Sequence, residues 1–422
     1  MNDQTQPQNQ DAVLGGQAPP TGAVLGGLDR IKQRFSSGIW DQQLAAATQA
    51  LQYGEVGFNL LLQVLKQPEP SQLRWAVYEV LSRKTEPEIE AVVFQYSPYR
   101  SFQHLLTLFP SDVGRSHLFA ISPDSKQLVT YSSEAALKVW DLETGDLLRS
   151  FPLSETTKCH YAIAISPDGE YCFIAYLSNH IQIRNLRTGE TIEELECNVS
   201  NIKSLVVSPD HQTLIIAAIG GLEALDLKTK KLYPLERGYT DKPKFSLDGE
   251  LLLYETAEHV ESWTPQRFIR VRNLESGELH SKLLWHVWRP WSAAQISPDK
   301  RTIVGVDTTS LVQQWNLETG AQLHQLQLNT VHKSYPFSAA FSPDGQTLLE
   351  VYTQGEVKLW NWQTGKLLCL IQGHPIQAKC DYQSLFATFT PNGRFAVASG
   401  RNSTIHIWGT SPEDKTKSTF VL

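Results

Sequence analysis

The turn Ser342-Pro343-Asp344-Gly345 recurs, with variation, seven times, and this recurrence constrains the fold more than any other feature. The copies begin at Ser122, Ser166, Ser208, Ser246, Ser297, Ser342 and Thr390, in steps of 44, 42, 38, 51, 45 and 48 residues. Proline presets φ for a turn, aspartate bonds the local backbone, and glycine accepts positive φ. A strand-length apolar run follows each turn. A third strand then ends in Val139-Trp140-Asp141, Ile183-Arg184-Asn185, Ala224-Leu225-Asp226, Val271-Arg272-Asn273, Gln314-Trp315-Asn316, Leu359-Trp360-Asn361 and Ile407-Trp408-Gly409. Thr144-Gly145, Thr188-Gly189, Thr229-Lys230, Ser276-Gly277, Thr319-Gly320 and Thr364-Gly365 make a second turn, and a fourth strand closes the unit. Four short strands per unit at this period predict propeller blades.

With these elements the stretch 100–410 resembles the WD-repeat β-propeller family. The fold class expected is mainly β: a seven-bladed β-propeller preceded by a small all-α domain. The sequence departs from the family pattern in two ways. Within that stretch Gly-His occurs only as Gly373-His374, and a strict Trp-Asp only as Trp140-Asp141. The internal hydrogen-bond network tied to those residues is therefore not expected in most blades. The seventh unit ends after its third strand, at Trp408, whereas Leu105-Leu106-Thr107-Leu108-Phe109 reads like the fourth strand Leu147-Leu148-Arg149-Ser150-Phe151. The segment 102–109 is expected to complete the last blade and hide its edge.

Ahead of the propeller, residues 1–22 are rich in Gln, Asn, Pro and Gly and read as a disordered tail. From 23 to 97 the apolar period is helical. Leu28, Ile31 and Phe35 form one stripe, Leu44, Ala47, Ala50 and Leu51 a second, Phe58, Leu61, Leu62 and Leu65 a third, and Leu73, Ala76, Val77, Val80 and Leu81 a fourth. The segment resembles short HEAT-like helical pairs, of a bacterial, cyanobacterial type. Two pairs are fewer than a free-standing solenoid needs, so they are expected to lean on the next domain or to be capped by the helix from Leu28 to Phe35. The propeller is placed at 98–410 and a polar C-terminal tail at 411–422.

Net charge is −7, which argues against a nucleic-acid footprint. No apolar run is long enough for a membrane helix, and the polar N-terminus lacks the regions of a secretory signal. Five scattered cysteines suit a reducing compartment, so a cytoplasmic location is expected. There is no His-Glu-x-x-His, no Walker loop and no Gly-x-Ser-x-Gly elbow. His160, His286, His332 and His374 fall in loops on different blades without matched ligand spacing, so neither a metal nor a cofactor is expected. The basic residues Arg30, Lys32, Arg34, Arg74, Arg83 and Lys84 of the helical segment read as a solvated face.

One stretch breaks the pattern. The longest step, from Ser246 to Ser297, contains Trp263 in an insertion between second and third strands, and Trp288-Arg289-Pro290-Trp291 between blades. Tryptophan, tyrosine and arginine dominate interface energetics. Trp263, Trp288, Arg289 and Trp291, joined by His332, Lys333, Tyr335 and Tyr382 from neighbouring loops, are the expected partner-binding residues. Filling gaps in an irregular blade is the competing role for the tryptophans. The resemblance implies a non-enzymatic protein–protein interaction scaffold with a monomeric propeller and no nucleic-acid partner. The alternative is a small-molecule binder or enzyme using the central channel, which first strands such as Ala162-Ile163-Ala164-Ile165 would line with apolar groups.

Overall fold

The computed structural model describes residues 21–67, 71–84, 86–109, 118–132, 136–152, 160–176, 179–246, 248–258, 266–284, 291–328, 336–352, 356–371, 386–399 and 404–410, without the side chains of 21–26, 87, 90, 160, 161, 291 and 337. The chain divides into a helical unit ending at Pro98 and a β unit, Tyr99–Ser411.

The helical unit contains α1 (Thr21–Phe35), α2 (Trp40–Ala50), α3 (Gly54–Leu65), α4 (Gln72–Ser82) and α5 (Pro87–Gln95). Leu28, Ile31 and Phe35 are buried, and α1 packs along α2. Four expected core positions, Leu44, Leu51, Phe58 and Leu62, are only half-buried; Gln43 and Gly57 take inner places. The reason is polar and steric. Helix ends leave carbonyls without intrahelical donors. Gln43 Nε2 donates to Phe35 O at 2.9 Å, at the end of α1. A Cβ on Gly57 would stand 1.8 Å from Ala50 O, so only glycine lets α3 approach the end of α2. Arg74, in the first turn of α4, does the same capping work twice: Nε donates to Leu65 O at 3.2 Å and a terminal guanidinium nitrogen to Tyr96 O at 2.9 Å.

The β unit opens with β1 (Gln103–Leu108). Blade one is β2 (Leu118–Ile121), β3 (Gln127–Ser132), β4 (Ala136–Asp141) and β5 (Leu147–Pro152). Blade two is β6 (His160–Ile165), β7 (Tyr171–Tyr176), β8 (His180–Asn185) and β9 (Thr191–Glu196). Blade three is β10 (Ile202–Val207), β11 (Thr213–Ala218), β12 (Gly221–Asp226) and β13 (Leu232–Arg237). Blade four is β14 (Tyr239–Phe245), β15 (Leu251–Glu258), β16 (Gln266–Asn273) and β17 (Leu279–Leu284). Blade five is β18 (Trp291–Ile296), β19 (Thr302–Asp307), β20 (Leu311–Asn316) and β21 (Gln322–Gln327). Blade six is β22 (Pro336–Phe341), β23 (Thr347–Tyr352), β24 (Val357–Asn361) and β25 (Lys366–Ile371). Blade seven is β26 (Ala387–Phe389), β27 (Phe395–Ser399) and β28 (Ile405–Gly409), with β1 as its outer strand. Leu108 lies opposite Ile405 and Gln103 opposite Gly409, so the two ends of the β unit share one sheet. Seven four-stranded antiparallel sheets make a seven-bladed β-propeller.

Three of the four letters of the repeating turn have a bond to make. In the Ser342 copy the hydroxyl donates to Asp344 and accepts from Thr347 N at 2.9 Å, while Asp344 Oδ1 accepts from Gln346 N at 3.0 Å. The fourth residue has positive φ in all seven copies, and in three of them it is Ser125, His211 or Lys300 rather than glycine. These three reach the preceding blade. Ser125 accepts from Asn392 N, His211 lies 3.6 Å from Asp168, and Lys300 Nζ lies 2.5 Å from both Asp248 and Glu250. The second turn is equally local: Asn361 Oδ1 accepts from Thr364 N at 2.9 Å, as Asp141 does from Thr144 N at 2.8 Å.

Neighbouring blades share their cores. Phe119, Leu128 and Trp140 of blade one pack with Leu108, Phe395, Val397, Ile405 and Ile407 of blade seven, sealing the two blades together. The third-strand tryptophans find different partners. Trp140 Nε1 donates to Thr130 at 2.9 Å, and Trp360 Nε1 donates to the fully buried carboxylate of Glu350 at 2.9 Å.

Candidate interaction face on blade four

Strands alternate direction, so the Ser-Pro-Asp and Thr-Gly turns leave one end of the blades. The second-to-third and fourth-to-first connections leave the other end. Trp263, Trp288, Arg289, His332, Lys333, Tyr335 and Tyr382 lie outside the described residues. Trp291 opens β18, with its backbone opposite Asp307 of β19. His160, read as a loop residue, instead opens β6 opposite Tyr176.

The described part of this end is most unusual at blade four. Strands β15 and β16 have eight residues each, against six or fewer in every other second and third strand. Their pairing runs without a break from Leu251 opposite Asn273 to Glu258 opposite Gln266. The hairpin therefore carries the blade two residues farther along its own axis than its neighbours.

Charge holds this extension on both faces. Successive strand residues point to opposite faces. On the face toward blade five, Arg267 pairs with Glu255, a carboxylate only 1% exposed, and lies over the Tyr239 ring at 5.6 Å. Lys242 Nζ is 3.6 Å from the same carboxylate. Burial lowers the pKa of Arg267, but Glu255 outweighs it and the net shift is upward. On the face toward blade three, Arg270 bridges Glu258 of its own hairpin and Glu236 of β13. Arg272 lies 3.5 Å from Glu236, and Tyr254 donates to Glu236 at 3.2 Å. Lys282 donates to Glu258 at 2.8 Å and sits over the Phe268 ring at 4.2 Å. The Lys282 hydrogen bond is the main cause of a lowered Glu258 pKa.

These half-buried ion pairs bridge strands of two blades and hold the hairpin in place. Large apolar groups stand at the same end of the ring: Ile219, Leu284, Phe109 and Phe386 are each 45–65% exposed. Exposed apolar side chains beside ordered arginines suit recognition of a protein surface. No group of three His, Cys, Asp or Glu that could hold a metal occurs among the described residues. Burial raises the thiol of Cys197 to about 12 and that of Cys172 further, so neither is poised as a nucleophile.

Arg267, Arg270 and Arg272 were not among the expected residues. Their signal lies in Gln266-Arg-Phe-Ile-Arg-Val-Arg272, a third strand denser in arginine than any other. The channel also differs from expectation at one blade. The first strand of blade four reads Thr240-Asp-Lys-Pro-Lys-Phe245, where the others are mostly apolar or small.

Comparison with known proteins agrees with this architecture. The model for the WD domain, G-beta repeat, matches residues 365–409, from the outer strand of blade six through β28. Apoptotic protease-activating factor 1 of Homo sapiens is 31% identical over 102 residues, covering 23% of this chain and 8% of the relative. A WD repeat-containing protein of Synechocystis is 28% identical over 141 residues, covering 33% of this chain and 38% of the relative. The U3 small nucleolar RNA-associated protein 18 homolog of Mus musculus is 26% identical over 181 residues, covering 36% and 33%. The chain thus spans less than two-fifths of each of these relatives. Among solved structures, the β-propeller domain of Cps50 (Swd1) from Myceliophteria thermophila superposes with a TM-score of 0.55 at 15% identity, over 72% of this chain and 100% of that one. Repeat and fold converge: the chain is a seven-bladed β-propeller that carries a WD40 repeat.

Proposed function

We propose that this protein is a non-enzymatic scaffold that binds partner proteins on the end of the propeller opposite the Ser-Pro-Asp turns, centred on blade four. One observation carries the reading. Among the described residues the β15–β16 hairpin alone outgrows its sheet, and it is braced on both faces by arginine–carboxylate pairs. A longer, stiffened hairpin adds nothing to the ring's own core, whereas a preordered projection lowers the entropy a partner must overcome. Trp263 lies within this hairpin's connection and Trp288, Arg289 and Trp291 follow its sheet, which places four interface-type residues next to it in sequence. WD40 propellers commonly serve as platforms for other proteins, which favours the same class of function. The partner this surface fits has an apolar centre rimmed by carboxylates.

The finer organisation belongs to the same proposal. Residues 23–97 would form a HEAT-like helical domain of bacterial type, offering a second contact surface, between a tail at 1–22 and the propeller at 98–410. The protein would act in the cytoplasm, as a monomeric propeller.

The test is affinity purification of the full chain beside a Trp288→Ala, Arg289→Ala, Trp291→Ala triple variant. The variant is expected to lose one coherent set of proteins while its thermal melt stays that of the wild type. An unchanged set of captured proteins with an unchanged melt would refute the blade-four assignment.

A further inference from the structure

Blade seven writes the repeating turn with its third letter changed. Six copies carry an aspartate there: Asp124, Asp168, Asp210, Asp248, Asp299 and Asp344. The seventh carries Asn392, followed by Gly393, and this is the single Asn-Gly pair of the chain. Such a pair is reactive because glycine has no side chain to shield its nitrogen from the preceding carboxamide.

The turn treats the asparagine as it treats an aspartate. In the other six copies Oδ1 accepts from the opening serine hydroxyl and from the backbone nitrogen two residues on. Asn392 Oδ1 accepts from Thr390 Oγ1 at 2.7 Å and from Arg394 N at 3.0 Å. Neither bond involves Nδ2, so an oxygen in its place would leave both intact.

The closed blade holds the pair away from reaction. Gly393 N donates to Thr390 O at 2.8 Å, and Asn392 N donates to Ser125 Oγ of blade one at 3.1 Å. Gly393 is buried, with φ 70, and a Cβ on it would stand 2.7 Å from the Tyr99 hydroxyl. Tyr99 is itself buried, its ring centroid 5.1 Å from that of Phe102 and 5.4 Å from that of Phe389. Tyr99 and Phe102 lead directly into β1, so the segment that closes the ring also covers Gly393. Cyclisation needs the opposite arrangement. The Gly393 amide must give up its proton and its bond to Thr390, and the Asn392 carboxamide must leave Thr390 and Arg394. The turn therefore reacts only through its open fraction.

We propose that Asn392-Gly393 is a covalent modification site gated by closure of blade seven. When Tyr99 and β1 peel away, Gly393 N, deprotonated by hydroxide, attacks Asn392 Cγ. A Cγ–N bond forms, the Cγ–Nδ2 bond breaks, and Nδ2 leaves as ammonia after taking a proton from water. The product is a five-membered succinimide, which water opens at either carbonyl. Opening at Cγ restores the ordinary backbone and leaves an aspartyl side chain. Opening at the backbone carbonyl routes the chain through Cγ, giving an isoaspartyl residue with one extra backbone carbon. One water enters, one ammonia leaves, and nothing is oxidised or reduced. The aspartyl product recreates the turn of the other six blades and recloses. The isoaspartyl product alters the spacing on which the Thr390 and Arg394 bonds depend, and blade seven does not reseal. Past opening is thus recorded where the two ends of the β unit share a sheet. The site lies at the turn end of the blades and does not depend on the proposed protein-binding face.

The test is mass spectrometry of the full chain after incubation at mildly alkaline pH, with aspartyl and isoaspartyl peptides separated by chromatography. Conversion at Asn392 is compared between native buffer and denaturing urea, with Asn361, which precedes the bulky Trp362, as the slow reference. A turn open about one part in a hundred converts roughly 100-fold more slowly than the unfolded chain. A Leu106→Ala, Leu108→Ala variant, which weakens the packing of β1, should convert faster than wild type in native buffer. Asn392→Asp should shift the melting temperature by no more than about 2 °C. Equal rates in buffer and urea would overturn the gate, and no conversion in urea would overturn the site. A native rate unmoved by the β1 substitutions, or an Asn392→Asp chain that does not fold, refutes the proposal as well. Should the double variant not fold, wild type in sub-denaturing urea decides. Conversion must then accelerate before the global melt, and a rate that stays flat up to the melt sinks the gate.

Discussion

Glu350 offers the most exacting check on how blade six is held. Its carboxylate is fully buried and accepts from Trp360 Nε1 at 2.9 Å and from Tyr352 OH at 2.8 Å. Lys358 lies over the Tyr352 ring at 4.3 Å and 3.5 Å from Glu356. Replacing Glu350 by alanine strands two buried donors at about 1–3 kcal/mol each. It also leaves a small cavity worth about 1 kcal/mol. Burying the wild-type carboxylate already costs several kcal/mol, which offsets part of this, so a net loss of about 3 kcal/mol is expected. Glutamine keeps an acceptor oxygen for both donors and should cost less than about 1.5 kcal/mol. Urea unfolding of the full chain followed by tryptophan fluorescence measures both. The pH dependence adds an independent sign. Burial raises the Glu350 pKa, so the folded protein retains a proton that the unfolded chain has already released. Stability from this group therefore falls as pH rises from the ordinary carboxylate range through the raised value. Glu350→Gln lacks that component and should flatten the profile. The reasoning fails if alanine costs less than about 1 kcal/mol, or if glutamine costs more than alanine.

Two other substitutions probe different joints. Gly57→Ala should destabilise the helical unit by about 3 kcal/mol, although alanine in a helix is normally favoured by about 1 kcal/mol, because the added Cβ meets Ala50 O. A variant that melts at or above the wild-type temperature would show that α3 can move away from α2. At Lys300 the lysine pairs with Asp248 and Glu250 while its backbone sits at φ 55. Burial would raise the Asp248 pKa, but the Lys300 and Ser246 bonds outweigh it and bring it to about 2. Its contribution to stability is thus present above the ordinary carboxylate range and lost as pH falls toward 2. Lys300→Gly should move the NMR titration midpoint of Asp248 up toward ~3.9. It should also relieve the backbone, so that the variant gains stability relative to wild type as salt is added.

The blade count was legible because the turn encodes its own hydrogen bonds. Ser342, Asp344 and Gly345 need only residues within five positions, and so does Asn361 with Thr364. Local devices leave local signatures. The outer-strand likeness of Leu105 to Leu108 is of the same kind, since those residues occupy the outer place in a sheet. Gln43, Gly57 and Arg74 were harder, because their roles are set by the ends of other helices. Glu350 was hidden for a similar reason: nothing in Thr347-Leu-Leu-Glu350 says that a tryptophan ten residues later will donate to it. At the candidate face, the anomalous spacing pointed to blade four, but the arginines that brace it went unnoticed. Glu236, the partner of Arg270 and Arg272, belongs to another blade. Of the loop residues proposed as contacts, all but Trp291 lie outside the described residues, so the structure bears chiefly on their flanks.

Why one blade should carry both irregularities follows from how a propeller divides its stability. Each blade packs mainly against its two neighbours, as in other repeat architectures. A local departure therefore weakens two interfaces and leaves the rest intact. Blade four keeps the inner parts of both. Leu251, Leu253, Ile269 and Val271 pack with Ala294, Ile296 and Ile303 of blade five, and Leu252 and Tyr254 pack with Ile215 and Leu222 of blade three. Arginine and glutamate gather toward the far ends of β15 and β16, and Pro243 falls in the first strand, where the ladder is irregular. The apolar centre of the sheet holds position while its two extremities, one at the loop end and one at the axis, are released from packing duty.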